Sequence, residues 1–274
     1  MDLNSVHRIA QVSGFGLNIE EFSGLEVAML QRKLQENLVG KMYFWGKIFG
    51  STQDYLVVHH IDPFAEFPDK KYYYCTTSDF VLRALPEISS EYEGLATKIR
   101  VAFTGDPSFF AYNGEEEEGE PEDPEAPPVE RFREVHRLTF TVKKIDRECA
   151  LVPRGALAVD TGKKVIASSN FQGLSYETSR ELRAYMHLRR PESLQGIALL
   201  KRPGIIKTDD FLDCIDKDMP KEMWSISHDN CGSAVFVRNL YWDGYGFYAT
   251  LKAAEYGSAY FGNGVPNYDI AFML

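Results

Sequence analysis

The sequence predicts an α+β fold: a predominantly antiparallel sheet with a few packed helices, interrupted by an acidic, disordered-like loop. Three observations carry that expectation. Apolar runs bounded by turn residues recur along the chain and are densest over residues 223–274. Aromatic residues make up 13% of the composition, with 15 Tyr and 18 Phe, which suits strands and contact surfaces better than a plain helical bundle. Helical patterns are few, the clearest at residues 23–38 and from Ser175. At 274 residues the chain can bury a substantial core without metal or disulfide support. Residues 1–40 read as an N-terminal helical segment and 41–274 as a sheet-rich domain, with the acidic loop at 113–128 inside it.

Taken in order, the first helix spans residues 23–38. Ser23 and Glu26 have capping-box spacing, Leu30, Leu34 and Leu38 recur at one-turn intervals, and Gly40 supplies a stop. With Leu25 and Met29 on the same apolar face, it reads as a helix packed on a sheet, with a partner-binding helix as the alternative. Residues 42–50 are apolar at nearly every position, as in a strand buried on both faces. A neighbour at 54–61 follows the turn Ser51-Thr52-Gln53, and Tyr72-Tyr73-Tyr74-Cys75 makes another short strand. Residues 82–98 support no single element. Gly105-Asp106-Pro107-Ser108 marks a turn, and residues 113–128, rich in Glu, Pro and Gly, bury too little apolar surface to offset the entropy of ordering.

Beyond that loop, Leu138, Phe140 and Val142 alternate as in a strand, Asp146-Arg147 turns it back into residues 149–152, and residues 153–157 close the unit. A second helix starts at Ser175, places Thr178, Leu182, Tyr185 and Met186 along one side, and ends at Pro191. Asp209, Asp210, Asp213, Asp216 and Asp218 surround Phe211, Leu212 and Ile215 in a short acidic helix or turn. The final meander follows. Trp224 and Ile226 alternate with serines, and residues 229–233 carry turn chemistry into the apolar run 234–240. Asp243-Gly244 turns into Tyr245, and a last strand at 257–261 ends at Gly262-Asn263-Gly264. An apolar terminus, Phe272-Met273-Leu274, implies docking into a core or a partner.

Net charge is −10, yet eight acidic residues between Glu115 and Glu125 account for most of it. The remainder is close to neutral and has no basic stripe, which argues against nucleic acid as a partner. Cys75, Cys149, Cys214 and Cys231 form no Cys-x-x-Cys pair, the N-terminus lacks the layout of a secretory signal, and no apolar run approaches the ~20 residues of a membrane span. A soluble, intracellular protein with reduced thiols is expected.

Chemistry-bearing patterns are sparse. His59-His60 would point to opposite faces of a strand and cannot easily chelate one ion. The aspartate cluster lacks calcium-loop spacing, and Gly262-Asn263-Gly264 lacks the following helix and Lys-Ser/Thr of a phosphate loop. No Gly-x-Ser-x-Gly elbow exists, and His7, His136, His187 and His228 have no triad partner in the sequence. No catalytic residue, cofactor or metal ligand is expected. Trp45, Trp224 and Trp242 read as core. The aromatic end, Tyr256, Tyr260, Phe261, Tyr268 and Phe272, offers more apolar surface than one terminal strand buries. The expected partner interface is therefore Tyr260, Phe261, Tyr268, Phe272, Met273 and Leu274.

A set of short strings gives a more specific indication. Phe44-Trp45-Gly46-Lys47-Ile48, Asp54-Tyr55, Gly105-Asp106-Pro107-Ser108, residues 152–157, Trp224-Ser225-Ile226 and Tyr260-Phe261-Gly262-Asn263-Gly264 with Asn267 and the final Phe272-Met273-Leu274 occur in an order and spacing that resemble the radial spoke head protein 9 family. The resemblance runs from residue 40 to the end. It implies a non-enzymatic subunit of the axonemal spoke head in cilia and flagella, within the cytoplasm and cytoskeleton. It further implies assembly with the spoke-head proteins numbered four and six and further subunits, contact with the central-pair apparatus through the assembled head, and a part in the mechanical signalling that regulates dynein-driven bending. The tail departs from the family pattern at Val265-Pro266 and Ala271. Two other readings stand beside this one: a small-molecule-binding module or enzyme using the Gly262–Gly264 loop with His228 or Asp269, and an acidic loop that docks a basic partner.

Overall fold

The computed structural model describes residues 1–110, 132–201 and 211–270, leaving out the side chains of Gln11 and Val12. After a 3-10 turn at Leu3–Ser5, two helices open the chain, α1 (Val6–Ser13) and α2 (Ile19–Gln35). A meander follows: β1 (Met42–Ile48), β2 (Tyr55–Ile61), β3 (Lys70–Thr76) and the short β4 (Arg83–Ala84). Then come α3 (Ser90–Lys98), α4 (Glu134–Cys149), and the three-residue strands β5 (Leu151–Pro153), β6 (Leu157–Val159), β7 (Val165–Ala167) and β8 (Tyr185–His187). Helix α5 (Leu194–Lys201) precedes a second meander of β9 (Trp224–His228), β10 (Ala234–Asn239), β11 (Tyr245–Thr250) and β12 (Tyr256–Gly262).

The two meanders fuse into one eight-stranded sheet of order β4-β3-β2-β1-β12-β11-β10-β9. Every pairing within it is antiparallel except the seam, where β1 and β12 run parallel over Gly46↔Tyr260, Lys47↔Phe261 and Ile48↔Gly262. Gly46 permits that approach: a Cβ there would sit 2.4 Å from the Tyr260 carbonyl oxygen. The antiparallel α+β architecture and the strands expected on both sides of the chain are therefore present.

Apolar residues at nearly every position of β1 have two causes. Both faces of the sheet are covered, and a bulge between Phe44 and Gly46 adds one residue against β2. Phe44 thus joins the core beneath α1 and α2, with Leu56, Val58, Tyr73 and Phe261, while Trp45 and Ile48 join the opposite core beneath α4, with Tyr55, Val57, Val237 and Tyr260. A smaller third core, Phe67, Val152, Val165, Met186, Phe211 and Leu212, lies between the short strands and the loop after β2. Met1 also belongs to the sheet. Its carbonyl accepts from Phe44 N–H at 2.8 Å and its nitrogen donates to the Phe44 carbonyl at 2.8 Å.

Several local expectations are corrected. Helix α2 begins five residues earlier than the Ser23 cap implies, because Asn18 and Glu21 form a complete capping box: Glu21 N–H donates to Asn18 Oδ1 at 2.7 Å and Asn18 N–H to Glu21 Oε2 at 3.1 Å. Ser23 sits inside the helix with its hydroxyl on the Ile19 carbonyl. The packed face is Phe22, Leu25, Ala28 and Met29, not Leu30 and Leu34.

Residues 138–143, read as a strand, belong to α4, and Asp146-Arg147 is helical rather than a turn. Leu138, Val142, Ile145 and Cys149 share one buried face at helical spacing, and that longer period prevails over the brief alternation of Leu138, Phe140 and Val142. The helix expected from Ser175 is replaced by 3-10 turns at Thr178–Arg180 and Leu182–Ala184, and then by β8. Tyr185 and Met186 are buried in different cores, as adjacent strand residues are. Residues 82–98 resolve into β4 and α3, which Ser89 caps. The acidic stretch 215–218 contains the 3-10 turn Ile215–Lys217. The acidic loop 113–128, Asp209, Asp210 and residues 271–274 lie outside the described residues.

Candidate interaction surface and cavities

Helix α2 is apolar on two sides, and the sheet covers one. Ile19, Val27, Leu30 and Leu34 remain 89%, 55%, 60% and 69% exposed. Val27, Leu30 and Leu34 stand at i, i+3 and i+7, which places them in one stripe. Glu20 and Glu26 are exposed on the same side of the helix. Beneath the helix, Lys47 of β1 anchors the other side through Glu21 at 2.7 Å and Asp54 at 2.9 Å. Burial alone would lower the Lys47 pKa, but those two hydrogen-bonded carboxylates raise it. The exposed stripe is therefore presented on a fixed element.

The residues expected to form a C-terminal interface part company. Tyr260 and Phe261, each 1% exposed, point to opposite faces of β12 and lie in the two main cores. The Tyr260 hydroxyl accepts from Gly264 N–H at 2.9 Å, which pins the Gly262–Gly264 turn. Tyr268 is 57% exposed, its ring edge-on to Tyr241 at 6.1 Å and 4.9 Å from the Arg100 guanidinium. Phe272, Met273 and Leu274 lie outside the described residues.

A cavity of about 510 Å³ adjoins the Gly262–Gly264 turn, with Arg238 and Asp243 in its wall. Neither His228 nor Asp269 lines it. The register explains the separation: Trp224 is level with the turn, across Asn239, Tyr245 and Tyr260, whereas His228 sits at the opposite end of the sheet, level with Val235, Ala249 and Tyr256. There His228 Nε2 lies 2.9 Å from Ser179 Oγ. That hydroxyl already donates to the Tyr176 carbonyl at 2.7 Å and is fully buried, and the His228 pKa is lowered by burial and then by Arg180. The pair closes a turn and lacks the accessible nucleophile and acidic partner of a triad.

His59 and His60 do point apart: His60 Nε2 lies 2.7 Å from the Val39 carbonyl, and His59 stacks on Tyr43 at 5.7 Å on the other face. Among the described residues no group of three His, Cys, Asp or Glu side chains could hold a metal ion, and no helix is long and apolar enough to cross a membrane. Cys75 and Cys149 are buried free thiols, and burial pushes Cys75 up to about 12.

Two buried charge clusters were not legible in advance. Glu134, at the first turn of α4, accepts from the Tyr55 hydroxyl at 2.7 Å, Thr104 N–H at 2.9 Å, the Thr104 hydroxyl at 3.0 Å and Gly105 N–H at 2.9 Å. Burial and then the Glu134 hydrogen bond raise the Tyr55 pKa. Asp146 near the other end of α4 accepts from Lys70 at 2.6 Å and from Trp45 Nε1 at 3.1 Å. Each cluster ties α4 to the meander of β1–β3. The signal for both was a carboxylate at the end of an amphipathic helix, hidden while that stretch read as a strand.

No family model matches this chain. Curated relatives do. The human radial spoke head protein 9 homolog (Homo sapiens) is 30% identical over 269 residues, 97% of this chain and 96% of that protein. The homolog of Danio rerio is 31% identical over 280 residues, spanning all of both chains. That of Mus musculus is 30% identical over 269 residues.

Proposed function

This chain belongs to the radial spoke head protein 9 family, and from that membership we propose that it is a non-enzymatic structural component of the radial spoke head in the axoneme of cilia and flagella. It assembles there with other radial spoke proteins, among them those numbered four and six. Through the assembled head it helps relay mechanical signals between the central-pair apparatus and the dynein arms.

The observation that carries the reading is the outer face of α2. Four large apolar side chains stand exposed on a helix whose inner face is already packed, and a stripe of that kind marks a protein contact. Residues 1–40 then act as the docking segment and residues 41–274 as the plate that holds it. A second contact is supported by Tyr268, with Phe272, Met273 and Leu274 beyond it, while Tyr260 and Phe261 support that end from inside.

Co-purification with other radial spoke proteins, read by size-exclusion chromatography, tests this. The wild-type chain is expected to form a stable complex, Leu30→Asp combined with Leu34→Asp to abolish it, and removal of residues 268–274 to weaken it. Failure of the wild-type chain to join any radial spoke protein would overturn the proposal. Complex formation untouched by the double substitution would remove α2 from it.

A further inference from the structure

The outer face of α2 is a regular row rather than a loose patch of exposed carbon. Ser23, Val27, Leu30 and Leu34 are spaced four, three and four residues apart, the spacing with which one helix meets another side by side. All four are exposed. The Ser23 hydroxyl is turned back onto the Ile19 and Glu20 carbonyls, at 2.9 and 3.2 Å, which leaves a shallow and already satisfied place in the row. Exposed apolar residues continue past both ends, Ile19 before the row and Val39 just beyond the helix.

Charge on the helix is sorted in the same way. On the sheet side, Glu21 is held by Lys47, Arg32 by Glu36, and Glu36 also by Lys71. Bordering the row on one side stand Glu26, exposed, and Lys33, half-buried, and neither has an ion-pair partner among the described residues. The opposite border carries Gly24 and Gln31, which are uncharged. A row with one free acid near its start and one free base near its end complements a reversed copy of itself.

We propose that α2 pairs with α2 of a second copy of this chain, antiparallel about a two-fold axis. Val27 packs on Leu30, Leu34 fills the shallow place at Ser23, and Glu26 meets Lys33, each contact occurring twice. The inference rests on the reading of α2 as a protein contact in the spoke head and names what covers it. Direction follows from the charges. With Val27 level with Leu30 of the second copy, the turn before Val27 faces the turn after that leucine, which sets Glu26 against Lys33 and carries Ile19 toward Val39. In a parallel pair Glu26 would come beside Gln31 and Ser23 beside Ser23, leaving both charges unpaired and the shallow place unfilled. A single helix pair lies near the small end of stable interfaces, so a reversible dimer in the micromolar range is expected.

Sedimentation equilibrium of the full chain alone, from low to high micromolar concentration, tests this. A monomer–dimer equilibrium is expected, and Leu30→Asp should abolish it. Glu26→Lys alone and Lys33→Glu alone each set like charges together twice and should weaken the dimer about tenfold. Combined, they exchange the charges and should restore the wild-type affinity, a rescue that a parallel pair would not show. Circular dichroism confirms that each variant is folded. A chain that stays monomeric over that range, single substitutions without effect, or a double variant as weak as the single ones would overturn the proposal. If the chain is monomeric alone yet joins other radial spoke proteins in a way that Leu30→Asp destroys, another protein's helix covers the row: the self-pairing falls and the spoke-head reading stands. A dimer with the expected rescue that joins no radial spoke protein supports the pairing and overturns that reading.

Discussion

Replacing Glu134 by alanine should be among the most damaging single changes in the protein. The carboxylate is 1% exposed and accepts from Tyr55, Thr104 and Gly105, so its loss strands two backbone N–H groups and a buried phenol together. Arg137, 3% exposed beside it, would lose a nearby negative charge while keeping its contacts to the Val101 carbonyl and the Phe103 ring. Breaking a buried, hydrogen-bonded charge in this way costs about 3–5 kcal/mol. Glu134→Gln keeps the shape but turns an NH₂ group toward a donor whichever way the amide is placed, at a cost of about 2 kcal/mol. Tyr55→Phe removes one donor and leaves the carboxylate its others, at about 1–2 kcal/mol. Urea unfolding followed by circular dichroism measures all three. With a slope of about 3 kcal/mol/M, Glu134→Ala should lower the midpoint by more than about 1 M. A loss below about 1 kcal/mol, or Gln and Ala variants of equal stability, would refute the view that this carboxylate holds α4 to the sheet.

Asp146→Asn should cost about 3–5 kcal/mol because it leaves Lys70 buried without its counter-ion, and combining it with Lys70→Met should recover much of the loss; chemical denaturation of both variants checks this. His59 gives a pH signature of known sign. Its folded pKa lies below the unfolded value, so the unfolded chain takes up a proton first. Stability falls as pH drops below about 6.5, by up to about 1.4 kcal/mol per unit until the folded pKa is reached, and His59→Phe should flatten that slope in unfolding curves between pH 7 and 5. Leu30→Asp and Leu34→Asp, at exposed sites, should each shift stability by no more than about 0.5 kcal/mol while reducing self-association in light scattering.

Legibility followed the range of the interaction. The hairpins of the second meander could be read because Asp229–Ser233 and Asp243-Gly244 are local turn signals, and the structure keeps them as turns: Asp229 N–H bonds the Ala234 carbonyl and Gly244 has positive φ. Helix α4 resembles a strand in sequence because Leu138, Phe140 and Val142 alternate, while Leu138 and Val142 also stand one helical turn apart; Ile145 and Cys149 decide for the helix. The α2 cap was displaced because Asn18-x-x-Glu21 and Ser23-x-x-Glu26 have the same spacing, and what separates them is Lys47, a strand residue that bonds Glu21. The α2 stripe was half visible. The one-turn spacing reveals an apolar face but not which side of the helix meets the sheet: Leu25 and Leu38 pack there, whereas Leu30 and Leu34 face outward.

The parallel seam has a mechanical consequence. β1 enters it from the N-terminal side and β12 leaves it toward the C-terminal side, in the same direction. Tension applied between the segment before Met42 and the segment after Gly262 therefore drags the two strands past each other lengthwise. Every hydrogen bond of the seam is stretched at once, whereas the hairpins on either side would open one bond at a time if pulled at their free ends. A plate built this way is stiff along the line joining its two ends. It yields by abrupt slippage at Gly46 and Tyr260 rather than by gradual peeling.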